Sequence, residues 1–242
     1  MPAAAAPYAV ALAGLTLTMA AALVLAVWRF ANSVEARRRW ALATAVITGG
    51  WLALTATLAV RGTLSDFNGR PPVFVRLLAF SLLMTVAVAL SPFGARILRA
   101  EPLRNVVGFQ LFRVAVELIL FGLCLGQLIP VQMTFEGLNF DILAGLSAGL
   151  IAWRLARTSV RPRWILAWNL VSLGLLATIV VIANLSAPTP FRVFRDGPSS
   201  SLLATFPFVW LPTFLVPSAL FGHVLVFRWL AGQKTAAATH PA

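Results

Sequence analysis

The sequence predicts an all-α, polytopic membrane protein, a bundle of seven transmembrane helices, and three observations carry that prediction. Sixty per cent of the 242 residues are apolar and 11% are charged, where soluble domains carry roughly 25% charged residues. The apolar residues gather in repeated runs of about 20, the length that crosses a bilayer as a helix. Eighteen of the 19 basic residues are arginines, and most sit in short connections between those runs, as the positive-inside rule requires. The net charge of +12 therefore belongs to membrane topology and gives no reason to expect nucleic acid as a partner. The partner it implies is the lipid bilayer.

The first run, about Tyr8–Trp28, is longer than the roughly 7–15 residues of a signal-peptide core and has no Lys or Arg before it. Arg29, Arg37, Arg38 and Arg39 follow it, so it reads as a membrane helix with its N-terminus outside. The remaining runs are about Trp40–Val60, Val73–Ser91, Val106–Ile129, Asn139–Trp153, Trp164–Asn184 and Leu203–Trp229. Residues 231–242, AGQKTAAATHPA, are expected to form a disordered tail. The side that follows span one holds thirteen basic residues, the opposite side five (Arg61, Arg70, Arg76, Arg192, Arg195), and Arg113 lies within a span. That asymmetry places the C-terminus in the cytoplasm. Trp28, Trp40, Trp153, Trp164 and Trp229 mark one interface as an aromatic belt.

Two connections look alike: WRFANSVEARRRW from Trp28 and WRLARTSVRPRW from Trp153. One reading is a 3+1+3 pseudo-repeat, with spans 1–3 and 5–7 as parallel units and span four as linker. The other is that Trp and Arg recur at any cytoplasmic interface.

The fourth run contains FQLFRVAVELI, residues Phe109–Ile119. Arg113 and Glu117 stand there inside an apolar stretch, where a charge normally needs a partner. Their i, i+4 spacing puts them on one helix face, so the sequence predicts that they pair, with Gln110 on the same face. Counting depth at about 1.5 Å per residue, Asn169 of span six and His223 of span seven fall in the layer of Gln110 and Arg113. Glu117 is just above. In hydrocarbon each of these groups needs a hydrogen-bond partner, so one shared network is expected. Pro212 and Pro217 in the last run would free the carbonyls of Phe208 and Thr213, making either a cavity-lining kink or a bent packing helix.

On the outer side the sequence offers Arg76, Glu136, Asn139 and Asp141 as candidates. VQMTFEGLNFDIL (Val131–Leu143) reads as a tight turn around Gly137 leading into span five. Asp141 then either favours the start of that helix through its dipole or belongs to an outward-facing ligand site, with Arg76 or Arg192 as its charged partner.

The run Phe109–Leu146, in its parts FR…E, LIPVQMTFEG and NFDIL, resembles a segment shared by a group of uncharacterised bacterial multi-pass membrane proteins. The resemblance covers about a sixth of the chain. It implies a place in the bacterial inner membrane and gives weight to Arg113, Glu117, Glu136, Asn139 and Asp141, without assigning them roles.

Two function classes follow. One is a small-molecule or proton-linked transporter or permease with a buried polar site centred on Arg113 and Glu117, binding a small ligand. The other is a non-catalytic binding or accessory protein in which the same network is structural. The only lysine, Lys234, lies past the last span, which excludes a buried Schiff base. No phosphate loop, H-E-x-x-H or G-x-S-x-G motif occurs, so enzyme activity is not expected. A single cysteine, Cys124, and no His/carboxylate cluster at ligand spacing predict no metal or other cofactor. The sequence sets no oligomeric state.

Overall fold

The computed structural model describes residues 2–31 and 33–239, with side chains through 233. The chain is all-α. Six helical stretches are long and apolar enough to cross a membrane: Ala3–Arg29, Val34–Val60, Val73–Leu90, Leu103–Leu125, Pro162–Leu185 and Leu211–Gln233. They contain α1 (Ala6–Arg29), α2 (Val34–Val60), α3 (Val73–Leu90), α5 (Leu103–Gly108) with α6 (Phe112–Leu125), α8 (Pro162–Leu185) and α9 (Val216–Thr239). Two shorter helices complete the set, α4 (Pro92–Ala100) and α7 (Asp141–Leu155).

Several boundaries differ from those read in the sequence, each for a local reason. Helix α2 starts at Val34, because the Ser33 side chain accepts from the Ala36 amide and so caps the polar turn ahead of Trp40. The fourth stretch begins at Leu103, after Pro102 fixes the entry. It passes through a tighter turn at Phe109–Leu111 and ends at Leu125. The last stretch opens with a wide turn over Leu211–Leu215, next to Pro212 and Pro217. The helix then continues through Thr239, covering much of the segment read as a disordered tail; His240 and the two residues after it lie outside the described residues.

The two prolines act as their chemistry dictates. The Phe208 carbonyl freed by Pro212 accepts from the Leu211 amide at 3.0 Å. The Thr213 carbonyl freed by Pro217 accepts from the Trp51 indole at 2.9 Å. A reciprocal bond joins the Trp210 indole to the Leu52 carbonyl at 3.0 Å. One backbone amide and one neighbouring indole thus re-satisfy the two freed carbonyls.

Helix directions follow from paired contacts. Tyr8 lies over Gly122, and Arg29 bonds Glu101, so α1 runs antiparallel to α5–α6. Phe74 and Leu78 share a cavity wall with Leu211 and Leu215, and Arg228 donates to the Ala89 and Ser91 carbonyls, so α3 and α9 are parallel. Gly145 packs on Val114, Gly149 on Leu111 and Gly108 on Ala152, which makes α7 antiparallel to α5–α6. One end of the bundle therefore gathers Arg29, Arg96, Arg154, Arg157 and Arg163 and is called the arginine-rich end below. There, guanidinium groups sit over Trp40, Trp153 and Trp164. Helix α2 packs chiefly on α1, whereas α8 packs on both α7 and α9, so the first and last three-helix groups are assembled differently.

Candidate functional site

Arg113 is among the largest fully buried side chains, 2% exposed. Its helix α6 turns Phe112, Arg113, Val116, Glu117, Leu120 and Leu123 inward, a stripe of helical period. On α8 the inward stripe is Ile165, Asn169, Ser172, Leu176 and Ile179. His223 of α9 is fully buried between them.

All five N–H groups of the Arg113 guanidinium are engaged. Nε donates to Asp141 Oδ2 at 2.7 Å and Nη2 to Asp141 Oδ1, a bidentate ion pair. Nη2 also donates to the Ser172 carbonyl at 3.0 Å, and Nη1 to Ser172 Oγ at 2.8 Å. The last donor of Nη1 faces His223 Nε2 at 3.1 Å. A guanidinium can only donate, so Nε2 accepts and His223 is neutral with its proton on Nδ1. That proton is directed to Asn169 Oδ1 at 2.8 Å, while Asn169 Nδ2 donates to the His223 carbonyl at 3.2 Å.

The expected i, i+4 pair of Arg113 and Glu117 is not formed. Asp141 takes the arginine, because a carboxylate facing the guanidinium fork can accept two parallel hydrogen bonds. The Glu117 carboxyl turns instead to Asn139, whose Nδ2 donates to Oε1 at 2.6 Å and to the Met133 carbonyl at 3.0 Å. Asn139 Oδ1 accepts from the Asp141 amide at 3.1 Å, so one buried asparagine ties the Glu117 carboxyl to the backbone at the start of α7.

Asp141 and Asn139, read as outer-side residues, therefore belong to the central cluster. Extending the register of α7 back from Gly145 sets Asp141 level with about residue 118, roughly 10 Å below the end of α6 at 1.5 Å per residue. The chain between α6 and α7 dips into the bundle with a single 3-10 turn, Val131–Met133, as its helical structure. Its turn is held by the Thr134 carbonyl, which accepts from the Gly137 amide at 3.0 Å and the Asn139 amide at 3.2 Å. A Cβ on Gly137 would collide with the Val131 carbonyl, which explains the glycine. Ile129, Met133 and Thr134 are buried, and irregular backbone survives at membrane depth only where protein covers it.

Among the other candidates, Gln110 is buried and donates to the Ala219 carbonyl at 2.8 Å, one turn before His223. It borders the layer without bonding Arg113. Arg76 and Glu136 are exposed and lie outside the cluster. Arg192, proposed from sequence as a partner of Asp141, instead donates to the carbonyls of Phe194, Gly197 and Pro198. Ser172 was missed by the sequence reading. Its signal was available: it follows Asn169 by three residues, on the same helix face.

Beside the saturated arginine lies an unsaturated carboxyl. Glu117 is 1% exposed, and its Oε2 has no hydrogen-bond partner. Glu117, Arg113 and Asp141 form one end of a cavity of about 50 Å³, whose far end reaches Asn184 and Leu203 through apolar walls. One water needs at least about 10–15 Å³ of such space, so the cavity takes a few waters or one small cation. Drug-sized ligands occupy roughly 300 Å³ or more and do not fit. Among the described residues no group of three or more His, Cys, Asp or Glu could hold a metal ion.

A family model described as a domain of unknown function, DUF8737, matches residues 70–231. A search of curated proteins and a search of solved structures each find no match.

Proposed function

The chain belongs to the DUF8737 family, a domain of unknown function, and from that premise we propose that it is a proton- or small-cation-linked permease in which Glu117 is the carrier group. The observation that carries this reading is the unpartnered Oε2 of Glu117, buried at the end of a cavity. A buried carboxyl oxygen without a donor costs free energy, and either a proton or a small cation entering the cavity would remove that cost. The size of the cavity favours such cargo over a metabolite.

In this reading the chain crosses a bacterial inner membrane seven times. The fifth crossing combines α7, about 22 Å long at 1.5 Å per residue, with the irregular segment before it. Short, interrupted segments of this kind form the binding sites of many transporters. The arginine-rich end faces the cytoplasm by the positive-inside rule, so the cavity at Glu117 is reached from outside. Residues Phe109–Leu146, which resemble the bacterial multi-pass group, lie within the family match.

A specific observation favours the accessory reading for half of the cluster. Arg113 has no donor left for a ligand, and a saturated guanidinium is a clasp between helices. The two halves are separable by experiment. Purified protein is reconstituted into liposomes containing a pH-sensitive dye, and proton uptake is followed under an imposed membrane potential. Glu117→Gln keeps the Asn139 contact and should fold normally while losing uptake. Equal flux through wild type and Glu117→Gln, or none through either, refutes the permease reading.

A further inference from the structure

We propose that the arginine-rich end holds a specific site for an anionic phospholipid, with its headgroup on Arg29, Arg99 and Arg104 and one acyl chain in a slot behind α1. The site is separate from Glu117 and does not depend on the permease reading.

The slot follows from how α1 meets the bundle. At the end away from the arginines, α1 touches α6 so closely that a Cβ on Gly122 would strike the Tyr8 ring. At the arginine-rich end the two helices separate and are bridged by Arg29 Nη1 to Glu101 Oε1 at 3.0 Å. Between bridge and contact lies a cavity of about 390 Å³. Ala22 and Ala26 of α1 present only methyl groups to it, and Gly108 and Gly222 contribute to its wall. It meets a second cavity of about 370 Å³ at the shared residues Leu23, Phe109 and Phe221. That second cavity runs on along Trp51 of α2 and Phe80 of α3, with apolar walls. The pair makes a long apolar recess beneath a charged mouth.

The mouth is unbalanced in charge. Arg29, Arg104 and Asn105 line it together with Glu101, and both carboxylate oxygens of Glu101 are already taken, by Arg29 and by Asn105 Nδ2 at 2.6 Å. A polar recess of about 570 Å³ continues from Arg29 to Arg96 and Arg99 of α4. Helix α4 is held by Ser91, whose side chain accepts from the Phe93 amide at 3.1 Å. It buries Gly94 and Ile97 and leaves Arg96 and Arg99 exposed, the disposition of a helix lying in the membrane interface. Among the described residues the two ion pairs are Arg29–Glu101 and Arg113–Asp141, so Arg96, Arg99 and Arg104 have no carboxylate partner.

A phosphodiester with two acyl chains matches both halves at once. Its phosphate supplies the missing negative charge, for which guanidinium forks have the complementary geometry. A chain entering the recess fills apolar space that free phosphate would leave empty. A zwitterionic lipid offers the same chain but no net charge to the arginines.

The test is native mass spectrometry of the full-length protein extracted from bilayers of equal parts phosphatidylglycerol and phosphatidylcholine. Wild type should retain phosphatidylglycerol in preference. At roughly a factor of five per arginine near an anionic headgroup, the double variant Arg99→Gln/Arg104→Gln should lose on the order of 30-fold in relative retention. Ala26→Phe fills the slot without changing charge and should lose bound lipid of either kind. If Ala26→Phe fails to fold, Leu23→Trp tests the same space. Equal retention of the two lipids by wild type, or unchanged retention in the arginine variant, overturns the proposal. So does displacement of the lipid by inorganic phosphate alone, which would mark a site for a free anion.

Discussion

The sharpest consequence of the structure is that Arg113 answers to Asp141, 28 residues away, and not to Glu117 on the next turn. Replacing Asp141 by Leu leaves Nε and one Nη2 donor without an acceptor, at a site where the arginine is 2% exposed. The remaining partners, Ser172 and neutral His223, accept hydrogen bonds but do not balance charge. Replacing Arg113 by Leu strands the Asp141 carboxylate in the same apolar surroundings. Each single replacement should therefore cost about 3–5 kcal/mol, the range for one orphaned member of a buried pair. At about 2–4 °C per kcal/mol for a chain of this size, that is a fall of roughly 6–20 °C in the midpoint of thermal unfolding in detergent. The double variant Arg113→Leu/Asp141→Leu removes both charges and should fall short of the summed loss by about 2 kcal/mol or more. The control cycle pairs Arg113→Leu with Glu117→Leu, whose side chains share no direct bond, and its coupling should be clearly smaller. A larger coupling with Glu117 than with Asp141 would refute the assigned pairing.

Other expectations follow from single contacts. Gly145→Val places side-chain atoms against the Val114 amide, where even a Cβ would lie 2.9 Å away, and should destabilise by about 1–3 kcal/mol through overpacking; an unchanged unfolding midpoint would show that α7 is not seated on α6 as described. His223→Phe leaves Asn169 Oδ1 and one Arg113 donor unpaired and should cost about 1–3 kcal/mol for each such group. Adding Asn169→Leu should recover part of that loss, and a purely additive result would argue against the His223–Asn169 bond. A reporter active only outside the cytoplasm should be active when fused at the N-terminus or near Glu136 and silent at the C-terminus. An active C-terminal fusion would end the seven-crossing proposal.

What the sequence determined by itself was whatever depends on local composition and period. Long apolar runs give membrane-length helices, and the register of polar residues within them placed Arg113, Asn169 and His223 at one depth, where the fold bonds them together. The turn at Gly137 and the carbonyls freed by Pro212 and Pro217 were also legible, because both are consequences of one residue's backbone chemistry. Partner choice was not. Local spacing offered Glu117 to Arg113, but a carboxylate one turn away on the same helix meets the guanidinium from the side. The carboxylate of Asp141, carried on an antiparallel helix, meets both edges of the fork. Asp141 reaches that position only because the segment before α7 descends about 10 Å at 1.5 Å per residue of the facing helix before helix resumes. That descent depends on burying Ile129, Met133 and Asn139 against other helices, contacts with no counterpart in the local sequence pattern. Only the tertiary structure therefore divided the polar cluster into an arginine with every donor engaged and a glutamate that borders a cavity and has one unpartnered oxygen.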